Sequence, residues 1–331
     1  MRKKVWKKTV LWLTTLIIGS VGISGCRIGK TEVGLSSELA EDEVFKINGR
    51  TCSLAEAKVF LTNYQNIYGK VYNVNLWEHD FGENSLEQYV KDLTISQLAQ
   101  IISMNFLAEE QEISFTEEEL EQIKKAAKAY YDSLSKAEIK YMGVSQEYIT
   151  ELYRQYGLAN KLYEHLILDV NDEISDDEAR VMEAMQIFVT DKEAVKAVNK
   201  GLKEKKDFLT LANNYDESEH TELTFGRGEL PKQVEEIAFS LEAGEVSKAI
   251  ETEEGYYFIK CINNYNQELT DANKQVILEN RRKEAFEDVY EAYIATISSE
   301  FNEKLWNSIE IEVNEEIQTK SFFEVYEEYC N

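Results

Sequence analysis

The chain has 331 residues, with 62 acidic side chains against 36 basic ones, a net charge of −26, and only one proline, three histidines and four cysteines. A surface of that sign repels nucleic acid and anionic lipid, which argues against a nucleic-acid function. With few histidines, no CxxC and no clustered metal-ligand spacing, neither a metal site nor a disulfide scaffold is indicated, and no cofactor is expected.

The chain opens on MRKKVWKK, passes into the 15-residue apolar run TVLWLTTLIIGSVGI and reaches ISGC. A cationic start, an apolar run and small residues, in that order, read as a secretory signal over residues 1–25. The run is shorter than the roughly 20 residues that a spanning helix needs. Without residues 1–25, 31 cations face 62 acids and the net charge falls to −31. Residues 26–44 are polar and small without an apolar period, which suits a flexible tether.

FKINGRTC, residues 45–52, sets Asn48 and Gly49 between short alternating stretches and predicts a two-residue hairpin. Ser53 with Glu56, Ser85 with Gln88, Thr116 with Glu119, Ser135 with Glu138, and Ser145 then each head a periodic run, so residues 53–168 read as a helical array. Ala57, Phe60, Leu61, Tyr64 and Ile67 form a one-sided apolar stripe, as do Ile149, Leu152, Tyr153, Tyr156, Ala159, Leu162, Tyr163 and Leu166. Tyrosines at helical spacing read as core rather than as an adaptable surface for unfolded chains.

From about Val181 strand and helix alternate. AMQIFV reads as a strand, DKEAVKAVNKGLKE and DFLTLANNY as helices, FGRGEL as a turn, PKQVEEIAFSL as a helix, and EVSKAI and YYFIKCI as strands. Pro231, the only proline, suits the first turn of its helix, where a missing N–H costs nothing. Residues 271–301 return to one long helix with Ala285, Phe286, Val289, Tyr290, Ile294 and Ile297 on one side.

Ile23, Ser24, Gly25 and Cys26 resemble a bacterial lipobox, which implies a lipid on Cys26 that anchors the chain without spanning the membrane. Residues 181–265 resemble the parvulin peptidyl-prolyl isomerases, most specifically through FGRGEL and AFSLEAGEVSKAIETEEGYYFIKC. Lipobox, helical array and long closing helix together look like the PrsA-type extracytoplasmic foldases. The resemblance implies an α+β chain: a helical SurA/PrsA-like chaperone domain built from residues 45–177 and 268–331, with a small FKBP-like parvulin domain, residues 178–267, inserted.

By the same resemblance the proline pocket is lined by Phe225, Leu230, Val234 and Phe239, and the polar floor falls on Gln186, Ser218, Thr252 and Tyr257. Gln186 and Tyr257 stand where the family places two histidines, and Val234 where it places a larger aromatic. From these departures a weak or absent isomerase activity is expected ahead of an efficient one. The implied partners are unfolded or partly folded exported polypeptides, met at the outer face of the cell membrane. A non-catalytic holdase or assembly scaffold using the parvulin fold as a peptide-binding module is the alternative. A solute-binding lipoprotein would need two βαβ-rich lobes, against which the helical array argues.

Overall fold

The computed structural model describes residues 27–28, 31–35, 39–71, 74–78, 85–311 and 315–330. The signal segment and Cys26 lie outside the described residues. The chain divides into two compact units: Met1–Asp169 with Ala285–Asn331, and Val170–Glu284. Among the described residues no helix is long and apolar enough to cross a membrane.

The first unit opens with β1 (Arg27–Ile28), β2 (Thr31–Leu35), β3 (Glu43–Ile47) and β4 (Arg50–Ser53). Between β3 and β4, Asn48 and Gly49 take left-handed φ values of 45° and 85°, the pair of conformations that a two-residue hairpin turn requires. Then come α1 (Leu54–Tyr68), the short pair β5 (Lys70–Val71) and β6 (Val74–Asn75), α2 (Leu86–Glu110), α3 (Glu117–Ser133), α4 (Lys136–Met142) and α5 (Gln146–Leu166). Ser53, Ser85, Thr116, Ser135 and Ser145 cap these five helices in turn, each side-chain oxygen accepting from the backbone N–H three residues on. Each cap contributes on the order of 1 kcal/mol.

The expected stripes are core along most of their length, with Ile67, Tyr163 and Leu166 only partly buried against it. Ala57, Phe60, Leu61 and Tyr64 of α1 are buried, as are Ile149, Leu152, Tyr153, Tyr156, Ala159 and Leu162 of α5. Into this core reach residues that the periodicity did not single out. Phe322 of α11 (Phe322–Cys330) sits 4.4 Å from the Tyr153 ring, 5.2 Å from Phe60 and 5.3 Å from Tyr130. Its N–H donates to Asn63 Oδ1 at 3.1 Å and its carbonyl accepts from the Tyr153 hydroxyl at 2.7 Å.

Two expectations about the chain ends are corrected. The closing helix α9 (Gln267–Ile294) stops short of residue 301, and β11 (Ser299–Phe301) follows it, then the short α10 (Glu303–Asn307). On α9, Phe286, Tyr290 and Ile294 are buried but Val289 is 38% exposed. β11 pairs in parallel with β2 and antiparallel with β3, in a five-stranded sheet of order β1-β2-β11-β3-β4. Residues 31–35, expected within a free tether, are therefore a sheet strand. Its partner lies near the other chain end, beyond the reach of any local pattern.

The second unit holds β7 (Met182–Val189), α6 (Lys192–Lys203), α7 (Phe208–Tyr215), β8 (Glu222–Phe225), α8 (Lys232–Ala238), β9 (Ile250–Glu251) and β10 (Tyr256–Asn263). They form an antiparallel sheet of order β8-β7-β10-β9. One face carries Ile187, Val189 and Phe258 against Val198 of α6 and Phe208 and Leu211 of α7. The other carries Met182, Ala184, Ile259 and Cys261 against Val234 and Ala238 of α8. The segment EVSKAI, expected as one strand, makes only an isolated bridge at Val246 and, at its last residue Ile250, the start of the two-residue β9.

This unit is wider than the expected 178–267. Asn273 Nδ2 donates to the Ala179 carbonyl at 3.0 Å, Val181 N–H to Thr270 Oγ1 at 3.1 Å, and Arg281 Nη1 to the Asn171 carbonyl at 3.0 Å. Lys274 also pairs with Asp176, and Arg281 with Glu178. The first half of α9 is thus fastened to residues 171–181 by charges and amides that no hydrophobic period announces.

Candidate functional site

The FGRGEL turn leaves β8 at Phe225 and enters α8. Gly228 takes φ 84°, a conformation that a side chain would strain. Two carboxylates hold the turn: Glu229 Oε1 accepts from Gly226 N–H at 3.0 Å, and Glu235 Oε2 from Gly228 N–H at 2.6 Å. Pro231 occupies the N-cap itself, one residue before its expected place, with φ −51° and ψ 135°. Its carbonyl accepts from Val234 and Glu235 at 2.8 and 3.0 Å, so the ring pre-sets the helix entry without donating anything.

The four apolar positions come together. Phe225, Val234 and Phe239 belong to one buried cluster, with Leu230 and Tyr257 packed against it. The Phe225 and Phe239 rings stand 5.5 Å apart, edge to face at 71°. Val234 is fully buried and Phe225 is 3% exposed, so they form the base of the cluster. Two arginines that sequence reasoning missed cover its side. The Arg227 guanidinium lies 4.1 Å from the Phe239 ring centroid and Arg180 lies 5.3 Å from it, both in cation–π range. Arg227 is oriented by Asp177 at 2.7 Å, and Arg180 by the Asn264 carbonyl at 2.6 Å.

The polar positions are only partly brought together. Alternation along β7 puts Gln186 on the same face as Met182 and Ala184. Gln186 Nε2 donates to the His220 carbonyl at 2.8 Å, and Ser218 Oγ donates to the same carbonyl at 3.1 Å. Tyr257 lies across from Phe188 in the register and packs on its ring at 4.7 Å, without hydrogen-bonding Gln186. Burial, reinforced by Glu254, holds the Tyr257 phenol above its ordinary pKa, so it stays neutral near pH 7. The Thr252 hydroxyl donates to the Gly255 carbonyl at 3.0 Å and so closes the β9–β10 turn.

Asp216 is the organiser that sequence reasoning passed over. Its Oδ1 accepts from Phe188 and Ser218 N–H at 2.9 and 3.0 Å, and its Oδ2 from the Thr221 hydroxyl at 2.8 Å. The readable signal was an aspartate two residues before a serine in a polar loop, the spacing of an Asx-turn. Among the described residues no group of three or more His, Cys, Asp or Glu is placed to hold a metal ion.

An apolar cluster behind a Gly-Arg-Gly turn, with polar side chains on the same face of a four-stranded antiparallel sheet, defines a parvulin-type domain, and residues 168–274 match the family model described as PPIC-type PPIase domain. With a helical unit drawn from both ends of the sequence, the chain as a whole resembles the PrsA-type parvulin proteins. It is 26% identical over 280 residues to the foldase protein PrsA of Caldanaerobacter subterraneus, covering 77% of this chain and 82% of that one. It is 34% identical over 85 residues to foldase protein PrsA 3 of Bacillus cereus, covering 24% and 30%. Among solved structures it is similar to the PrsA peptidylprolyl isomerase of Bacillus cereus, at 21% identity and a TM-score of 0.38, covering 75% of this chain and 96% of that one.

Proposed function

We propose that the chain is a foldase held at the outer face of the cell membrane by a lipid on Cys26. Its helical unit holds partly folded exported polypeptides, and its parvulin domain binds their X-Pro segments and isomerises them slowly. The observation that carries this reading is the convergence of Phe225, Leu230, Val234 and Phe239 on one apolar cluster, on the sheet face that also presents Gln186.

Isomerisation needs no nucleophile and no cofactor. The barrier about the peptide bond is ~18–20 kcal/mol, and a site lowers it by holding the ring in an apolar cup while favouring the twisted amide. Here the cup residues remain, whereas the polar floor is altered. Gln186 gives one N–H of its amide to the His220 carbonyl, and Tyr257 packs tilted against Phe188, so neither offers the imidazole that the family uses. That favours binding with slow turnover. The commitment of Gln186 to its own loop also supports the second reading, a holdase whose parvulin domain only binds.

The test is a protease-coupled assay on a proline tetrapeptide, run beside suppression of aggregation of an unfolded client. Slow isomerisation with clear suppression is expected. Suppression with no isomerisation selects the holdase, and an efficient rate abolished by Gln186→Ala overturns the weak-enzyme reading. Membrane fractionation with Cys26→Ser tests the anchor. The substituted chain is expected to lose lipid label, and unchanged labelling rules the anchor out.

A further inference from the structure

A cavity of about 530 Å³ opens on the α6 and α7 side of the second unit's sheet, and none of its lining residues belongs to the proline site. In a chain of net charge −26 its sign is inverted: Lys203, Lys205, Lys206, Lys248 and Lys260 line it against one acid, Asp207. Lys206 pairs with Glu204 at 3.2 Å, and the Asp207 carboxylate is occupied in capping α7 through Thr210 N–H at 3.0 Å. Lys203, Lys205, Lys248 and Lys260 have no ion-pair partner among the described residues.

The helix dipole accounts for a lysine in the last turn of α6, hence for Lys203. It does not account for Lys248 and Lys260, which arrive from a loop and from β10. Nor does it account for Lys205, which takes φ 58° just past the helix end, where glycine is the unstrained choice.

A second feature of the cavity points to the form of its ligand. Val246 bridges Lys260, flanked by hydrogen bonds from Ser247 N–H to the Ile259 carbonyl at 2.8 Å and from Cys261 N–H to the Glu245 carbonyl at 2.9 Å. In that pattern the N–H and C=O of Val246 itself point away from β10. They have no partner among the described residues, and the side chain is 37% exposed. The cavity thus combines a short open strand edge, an apolar floor of Leu202 and Phe208, and four uncompensated ammonium groups.

We propose that this cavity is a second binding site for polypeptide, taking an extended acidic segment that pairs with the Val246 edge while its carboxylates meet Lys203, Lys205, Lys248 and Lys260. The edge favours peptide over a lipid headgroup or a free anion, because neither of those has a backbone to pair. The proposal deepens the foldase reading and rests on it, by assigning the parvulin domain a preference for acidic stretches of client apart from its proline site.

The test is a fluorescence-anisotropy titration of the full mature chain with a labelled, proline-free peptide alternating valine and glutamate. Binding is expected at 50 mM salt, weakening at least tenfold at 500 mM, with none for the valine–lysine counterpart. The triple variant Lys203→Gln, Lys248→Gln, Lys260→Gln should weaken it at least tenfold while leaving the proline-tetrapeptide rate and the circular dichroism spectrum unchanged. Backbone N-methylation of alternate residues should also abolish it. Equal binding of the N-methylated peptide, displacement by millimolar inorganic phosphate, or tighter binding to phosphatidylglycerol vesicles than to the peptide overturns the proposal, as does an unaffected triple variant. Failure of the foldase reading is read separately, in the aggregation assay with a client that has no acidic stretch.

Discussion

The side-chain amide of Gln186 donates to the backbone carbonyl of His220 across 2.8 Å, and so ties the central strand of the parvulin sheet to the loop that carries Ser218. Gln186→Ala removes one of the two donors to that carbonyl and should destabilise the second unit by about 1 kcal/mol. Gln186→His with Tyr257→His should raise the isomerisation rate. The pH dependence separates the two floors. Wild-type rate is expected to be flat from pH 5 to 8, because glutamine does not titrate and the Tyr257 phenol is held above its usual range by burial. The double variant should acquire an inflection near the ordinary histidine value of ~6.5. A wild-type inflection in that range would contradict the assignment.

The parvulin unit needs the flanks that fasten it. A fragment of residues 170–284 keeps the bonds from Asn273, Thr270 and Arg281, whereas 178–267 loses all of them. The longer fragment should unfold cooperatively at the higher urea midpoint, and the shorter one should be markedly weaker. Equal midpoints would show that the first half of α9 adds nothing.

Phe322 is the residue through which the C-terminal helix enters the helical core. Phe322→Ala should cost about 3–5 kcal/mol in the first unit, as for other large aromatic truncations. Tyr153→Phe, which removes only the donor to the Phe322 carbonyl, should cost about 1 kcal/mol. Thermal unfolding of the full chain, read by signals from each unit, checks both, and the second unit's transition should not move.

Alkaline pH should strike the helical unit first. Burial raises the Tyr130 phenol to about 12, and burial with the nearby Glu56 raises Tyr148 to about 12. Tyr153 and Tyr156 are displaced in the same direction by burial. A phenol whose folded value lies above its unfolded value of ~10 contributes stability that is complete below pH ~10 and is lost as pH rises through the folded value. The urea midpoint of the first unit is therefore expected to hold up to about pH 10 and to fall steeply towards 12, with a shallower fall in Tyr130→Phe. A midpoint independent of pH over that span would refute the linkage.

Local rules carried much of the fold. Five helix starts were legible because a capping side chain must lie three residues before the N–H it accepts, and the hairpin because Asn48 and Gly49 are residues that tolerate positive φ. The strand at 31–35 and the helix at 322–330 were not legible, since each exists through partners far along the chain. In the parvulin site the resemblance brought Phe225, Leu230, Val234 and Phe239 to one place. It could not reveal Arg180, Arg227 or Asp216, whose roles come from geometry rather than from a motif.

The sheet that joins β2 and β3 through β11 sets an order on assembly as the chain emerges from its amino end. Asn63 and Phe322, bonded across the helical core, are separated by 259 residues, which take roughly 10–50 s to synthesise at ~5–20 residues per second. Through that interval the early helices stand with their central aromatic socket unfilled, while the second unit, a single continuous stretch from Val170 to Glu284, can close as soon as its last residues appear. The part that arrives late is thus completed first, and the part that arrives first waits for the end of the chain.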